Sequence, residues 1–322
     1  MAWRRLAAGA AVVAIGCGLL GCGPAATPTA IASPAPSQPP VIQLPTQLPD
    51  EMSLDQTLPL FEYDRQAPFA VRVVSSYPRG NATLADISYM GANGLEEPAY
   101  LVTPAGKGPF AAVIWMGWTG DYAEIRKEFV DEAMALAEHG VVSLLVSGYF
   151  PWRVKPLDKD SDRMALIGQI RDLRRALDLL ISQPGVDPAR VGFVGHSMGA
   201  MHGVILSAID QRVKAAVLIA PDSIWADWIF EGYGLAPQLE SVYRTAMASF
   251  DPLAYVGLSR PASLFFQFGS TDQFVSPDVA RTLYAAASEP KRIGWYTGGH
   301  DIDAAAGTDR TAWLETELSL NP

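Results

Sequence analysis

Between Val191 and Ala200 the chain reads Val-Gly-Phe-Val-Gly-His-Ser-Met-Gly-Ala, and an apolar segment from Met201 to Ile209 follows without a break. A β-branched and aromatic run, a glycine-flanked turn and a helix are thus joined through one serine. Few backbones allow this. The turn puts Ser197 in a strained conformation in which side chains at the flanking positions would clash, which accounts for Gly195 and Gly199. The strain lifts the Ser197 hydroxyl off the sheet edge, at the mouth of a helix whose free N–H groups favour developing negative charge. Ser197 is therefore a candidate nucleophile. The plainer alternative is a glycine-lined turn with a capping serine, but the strand before and the helix after both weigh against it.

The surrounding sequence repeats the strand-then-helix rhythm. Ala70–Tyr77 and Ala82–Met90 alternate apolar and polar residues across Pro78-Arg79-Gly80-Asn81, which predicts an antiparallel hairpin, and Pro98–Thr103 predicts a third short strand. Phe110–Trp115 and Val141–Val146 are almost wholly apolar, as strands covered on both faces must be. Between them, Glu124–Glu138 carries Ile125, Phe129, Ala133, Leu136 and Ala137 at a helical period; Met164–Ile181 is a second amphipathic helix. Strands at Ala215–Ile219, Ser263–Phe268 and Ile293–Thr297 and helices at Pro277–Ala287 and Thr311–Leu318 continue the pattern. It predicts an α/β fold with a mostly parallel sheet, an antiparallel N-terminal hairpin and helices on both faces. The alternation lapses between 223 and 258, an insertion rich in aromatic residues, among them Trp225, Trp228, Phe230 and Tyr243. Core or lid packing and pocket lining are both open readings for Trp225, Trp228 and Tyr149-Phe150-Pro151-Trp152.

The first residues have a different character. Arg4 and Arg5 precede an apolar run from Leu6 to Leu20, too short to span a bilayer but suited to a signal peptide over residues 1–21. Residues 22–50 follow as an expected disordered tether of Pro, Ala, Ser, Thr and Gln, and residues 51–322 have the length of one domain. There are two cysteines, and Cys17 would leave with the signal, so Cys22 alone would remain; neither a disulfide nor a cysteine-based metal site is expected. The net charge of −10 argues against a nucleic-acid partner. Four scattered histidines give no metal-binding spacing, and no phosphate loop or dinucleotide fingerprint occurs, so no cofactor is expected.

In an open parallel sheet, reactive groups collect at the carboxyl ends of the strands. Ser197, Asp272 and His300 each fall just past a predicted strand. A serine hydroxyl is a poor nucleophile at neutral pH and needs an adjacent base, which in turn needs a group that fixes its tautomer. His300, after two glycines, can supply the base and Asp272 the acid. Asp222 also ends a strand and stays open as the acid; Asp301 and Asp303 lie too near His300 in the chain to reach its far nitrogen easily. His139, His196 and His202 read as structural.

The order Ser, acid, His, together with Gly195-His196-Ser197-Met198-Gly199, Val186-Asp187-Pro188-Ala189-Arg190, Phe268-Gly269-Ser270-Thr271-Asp272-Gln273-Phe274-Val275 and Gly299-His300-Asp301, resembles the α/β-hydrolase fold. Within it the resemblance is to the dienelactone-hydrolase and prolyl-oligopeptidase-like branch, and it runs from about Ala70 to Leu318. The resemblance implies Ser197 as nucleophile, Asp272 as acid and His300 as base. It also implies an oxyanion hole made of the backbone N–H groups of Met198 and Trp118. Many relatives have His-Gly where this chain has Met116-Gly117, and dienelactone hydrolases proper use a cysteine nucleophile, so lactone specificity does not carry over. Leu19-Leu20-Gly21-Cys22 is similar to the lipobox of bacterial lipoproteins, which implies lipid attachment at Cys22 and anchoring at the outer face of a bacterial membrane. The sequence thus leads to the expectation of an exported serine hydrolase acting on a small-molecule carboxylic ester. A peptidase or acyltransferase of the same fold, and a non-catalytic ligand-binding lipoprotein, are the alternatives.

Overall fold

Strand β4 (Phe110–Met116) is buried along its whole length, and the fold is arranged around it. The computed structural model describes residues 45, 47–118, 124–151, 158–233 and 236–320. The other strands are β1 (Arg72–Arg79), β2 (Ala82–Met90), β3 (Glu96–Pro104), β5 (Val141–Val146), β6 (Val186–His196), β7 (Ala215–Ile219), β8 (Ser263–Gly269) and β9 (Lys291–Tyr296). They form one nine-stranded sheet in the order β1-β2-β3-β5-β4-β6-β7-β8-β9. β1, β2 and β3 pair antiparallel, β3 joins β5 antiparallel, and every pairing from β5 to β9 is parallel. The expected hairpin and mostly parallel sheet are both present.

The helices are α1 (Leu54–Thr57), α2 (Val130–Ala137), α3 (Lys159–Ile181), α4 (Met198–Ile209), α5 (Trp225–Tyr233), α6 (Glu240–Met247), α7 (Pro252–Tyr255), α8 (Pro277–Ala286) and α9 (Ala304–Glu317). Side chains alternate across β4, so the sheet separates two apolar layers. Ala112, Ile114 and Met116 pack with Leu166, Ile170 and Leu177 of α3 and Val204 and Ile205 of α4. Ala111, Val113 and Trp115 pack on the other face with Ala133 and Leu136 of α2 and Leu314 of α9. Each such large side chain stabilises the fold by roughly 1.5–3 kcal/mol when fully buried. A pair such as Arg72–Glu96 lies out in solvent, where its charges are screened, so the two layers, rather than surface ion pairs, hold the domain together.

Three helices differ from the sequence pattern. α3 starts at Lys159 rather than Met164, because Asp158 accepts hydrogen bonds from the amides of Asp160 and Ser161, both at 2.9 Å. Its first turn is polar and hides the start from a hydrophobic period. α9 likewise begins seven residues before Thr311, capped by Asp303 across Ala304-Ala305-Ala306, where no large apolar residue marks a face. The predicted helix 124–138 is broken into a 3-10 turn, Ile125–Lys127, and α2, with Phe129 between them outside helical geometry and packed on the Trp115 ring at 5.3 Å.

Before β1 the chain is strapped to α3 by arginines. Arg163 donates to the carbonyls of Leu48 and Pro49, Arg171 to Leu60 at 2.8 Å, Arg174 to Phe61 at 2.7 Å, and Arg175 to Arg65 and Ala67. Leu48, which composition assigns to the tether, is buried in the core, so the packed chain starts a few residues before Glu51. Cys22 and the signal segment lie outside the described residues. Among the described residues no helix is long and apolar enough to cross a membrane.

Candidate active site

The residue joining β6 to α4 is Ser197, with φ 53° and ψ −113°. A non-glycine residue at positive φ carries strain that the surroundings must hold, and here the Ser197 amide is fixed by the Ile219 carbonyl at 2.7 Å. A Cβ on Gly195 would lie 2.5 Å from the Gly199 carbonyl, and one on Gly199 would collide with the Met116 carbonyl at the end of β4. Both glycines therefore allow main chains to touch, which brings the start of α4 against the loop that follows β4. Met198 opens that helix, so its N–H has no intrahelical acceptor.

The loops after β8 and β9 are zipped together. Ser270 N donates to Tyr296 O at 2.8 Å and Thr271 N to Gly298 O at 2.9 Å. This brings the Asp272 carboxylate to the His300 ring, Oδ2 to Nδ1, at 2.9 Å. The other Asp272 oxygen accepts the amides of Phe274 at 2.8 Å and Val275 at 3.1 Å. Burial alone would raise the Asp272 carboxyl, but the His300 bond and these two amides together hold it below its usual range. With Nδ1–H directed at a carboxylate, Nε2 of His300 is the nitrogen left to accept a proton. The Phe274 ring stands edge-on to His300 at 5.0 Å and is itself 54% exposed, so it borders the ring on the solvent side.

Beside this pair lies a contact the sequence pattern gave no sign of. Glu128 Oε1 is 2.6 Å from His196 Nδ1, and its Oε2 accepts the Trp118 amide at 3.0 Å. His196 Nε2 is 3.2 Å from the carbonyl oxygen of His300, and the two imidazoles lie 5.2 Å apart, tilted by 36°. The Trp118 N–H is thus held by a carboxylate, while the residue as a whole is 49% exposed. His196, which the sequence presents as structural, links the residue before Ser197 to the main chain of His300. Glu128 stands among Lys127, Phe129 and Val130 and reads as a solvated helix position; only the break between the 3-10 turn and α2 turns it inward.

No family model matches the chain. A polyketide transferase of Stachybotrys chlorohalonatus is 28% identical over 170 residues, covering 52% of this chain and 53% of that protein. The chain spans between about half and two thirds of the length of the curated relatives it matches. Among solved structures, an acetyl xylan esterase from a Paenibacillus superposes with a TM-score of 0.67 at 21% identity, covering 82% of this chain and 93% of the other. An acetyl xylan esterase from a Thermoanaerobacterium gives 0.68 at 18% identity, covering 84% and 95%. This is an α/β-hydrolase fold.

In this α/β-hydrolase fold the other sequence candidates take structural places. Asp222 accepts from the amides of Ser223 at 2.5 Å and Ile224 at 3.2 Å, while the carboxylate against His300 is that of Asp272. Asp303 caps α9. His202 is fully buried one turn into α4, with Nδ1 against the Met198 carbonyl at 2.7 Å and its ring edge-on to Phe150 and Trp225. Burial pushes its imidazole down to about 4. Trp225 and Phe150 belong to the core, and the Trp225 indole N–H donates to Phe250 O at 3.0 Å. Trp152 lies outside the described residues.

Proposed function

We propose that the protein is a serine hydrolase of small carboxylic esters, working through an acyl-enzyme. The observation that carries this reading is the 2.9 Å pairing of His300 Nδ1 with the buried Asp272 carboxylate, in loops that lie beside the Ser197 turn. His300 Nε2 takes the proton of Ser197 Oγ as that oxygen bonds to the ester carbonyl carbon. The carbonyl oxygen becomes an oxyanion at the mouth of α4, received by the Met198 amide and by the Trp118 amide as the substrate oxygen replaces Glu128 Oε2 there. Collapse breaks the ester C–O bond, and the leaving alkoxide takes the proton from His300. Water then attacks the acyl group, giving its proton to His300, and the acid departs as Ser197 recovers it.

The names of the acetyl xylan esterases make acetyl esters the first substrates to try. The motifs around Ser197, Asp272 and His300 support a place near the dienelactone-hydrolase and prolyl-oligopeptidase-like branch, with serine as the nucleophile. Acyl transfer to an alcohol in place of water is a second reading, favoured by the transferase name of the fungal relative. The lipobox-like Leu19-Leu20-Gly21-Cys22 supports export and anchoring through lipidated Cys22, which Cys22→Ser should abolish, leaving the protein in the aqueous phase of a detergent partition.

A fluorophosphonate probe reacts only with an activated serine. Wild-type protein should be labelled and should hydrolyse a p-nitrophenyl acetate-type ester; Ser197→Ala should lose both, by about 10⁴-fold or more, with its melting curve unchanged. Equal hydrolysis by Ser197→Ala would overturn the reading.

A further inference from the structure

We propose that Glu128, acting through His196, is a positioning residue that sets the base loop and the oxyanion loop in register around Ser197. The proposal rests on the hydrolase reading above for its kinetic consequence, though not for its geometry. One carboxylate ties three separate segments. Through Oε2 it holds the Trp118 amide at 3.0 Å, in the loop after β4. Through Oε1 it holds His196 Nδ1 at 2.6 Å, in the residue before the serine. The far side of the same ring reaches the His300 carbonyl at 3.2 Å, in the loop after β9. The His300 ring itself is turned toward Asp272 on one side and tilts over His196 on the other.

The chemistry of the ring sharpens the point. Both His196 nitrogens face oxygen atoms, Nδ1 a carboxylate oxygen of Glu128 and Nε2 the His300 carbonyl oxygen, so the ring is held from both sides. The Glu128–His196 contact is almost closed off, the His196 side chain being 4% exposed, which makes it a stiffer strut than an exposed contact of the same length. The space around it is reserved: a Cβ on Gly117 would run into Glu128 Oε2 and come within 2.7 Å of the Ile125 carbonyl. Gly117 thus lets the oxyanion loop pass directly over the carboxylate. When a substrate carbonyl oxygen takes the Trp118 amide, Oε1 still anchors Glu128 to His196, so the strut to His300 survives each turnover.

The strut does not touch the reacting atoms, so its loss should misplace the base rather than remove it. Glu128→Ala should lower kcat by about 10- to 100-fold with little change in KM. His196→Phe, which keeps the ring volume and loses both contacts, should cost the same. The double variant should be no worse than either single one, because both cut one connection. Glu128→Gln should recover most of the loss, since its carbonyl can accept the Trp118 amide while its NH₂ faces His196 Nδ1. A Glu128→Ala enzyme as fast as or faster than wild type would overturn the proposal and make the carboxylate a block on the amide. Losses that multiply in the double variant would overturn it too. The ¹⁵N and ¹H ring signals of His300 provide a readout that needs no turnover. They should move in Glu128→Ala and stay in Glu128→Gln. If they move in a wild-type background that neither binds the probe nor hydrolyses esters, the hydrolase reading falls alone; if they do not move, the positioning role falls.

Discussion

The carboxylate of Asp272 meets Nδ1 of His300 at 2.9 Å, with the Asp272 side chain 1% exposed and that of His300 13% exposed. One partner is sealed and the other only partly covered. The aspartate is fastened by two amides of its own loop, so the ring is the member that adjusts to the carboxylate.

Asp272→Asn keeps the shape of this contact but presents an amide that favours the other imidazole tautomer, and turnover should fall by about 10⁴-fold. Asp222→Asn should be mild, since Asp222 is bonded to the amides of Ser223 and Ile224. Initial rates for the two variants decide it: collapse in Asp222→Asn beside normal turnover in Asp272→Asn would assign the acid to Asp222.

Gly199→Ala should damage folding as well as activity. Its methyl group would occupy the position of the Met116 carbonyl, and β4 and α4 cannot separate without opening the buried sheet. Overpacking of this sort costs about 1–3 kcal/mol, and against a main-chain atom the upper end is expected. Urea unfolding at constant m-value measures it; an unchanged midpoint would mean that the α4 start has room to shift.

Asp251 should make the protein lose stability as pH rises. Burial first, and then Asp227 and Asp222 nearby, push its carboxyl up to about 8, although it accepts the Trp225 amide at 2.8 Å. The unfolded chain releases this proton near the ordinary value of 3.8, while the fold keeps it until about 8. Its contribution is complete below pH 4 and is lost between those limits, at up to about 1.4 kcal/mol per pH unit. Asp251→Asn cannot ionise, so its stability relative to wild type should climb from pH 5 to pH 7. A constant difference in unfolding free energy across that range would refute the buried proton.

His202 acts at the acid end. The fold holds its ring neutral down to about 4, whereas an unfolded chain takes up the proton near 6.5, so stability is lost as pH falls between the two. His202→Phe keeps the aromatic packing against Phe150 and Trp225 and removes the titration. Its unfolding midpoint should fall less than that of wild type between pH 6.5 and pH 4.5; parallel declines would show that other groups dominate acid unfolding.

The strands were legible because burial on two faces or one leaves a direct imprint on composition: β4 and β5 are continuous apolar runs, β2 alternates. Helix starts at Lys159 and Ala304 were not, since polar caps and small residues carry no period. The Gly195, Ser197, Gly199 turn was legible because main chains that touch there admit only glycine, and the meeting of Asp272 with His300 because both fall just past strand ends. Glu128 and the linking role of His196 could not be read, because they depend on which way a side chain turns at the break before Phe129. The aromatic insertion was ambiguous for a related reason: a tryptophan in a core and one beside a pocket look alike in sequence, and only the closed packing of Trp225 separates them.

The arginines of α3 grip the preceding segment by its main-chain carbonyls at Leu48, Pro49, Leu60, Phe61, Arg65 and Ala67. A carbonyl oxygen is the same whatever side chain its residue carries. Where those side chains do not themselves pack, the strap is therefore free to drift in sequence while its course over the helix stays fixed. The burden of preservation falls on the donors: replacing Arg163 or Arg175, even by lysine, gives up the forked geometry by which one side chain holds two carbonyls at once.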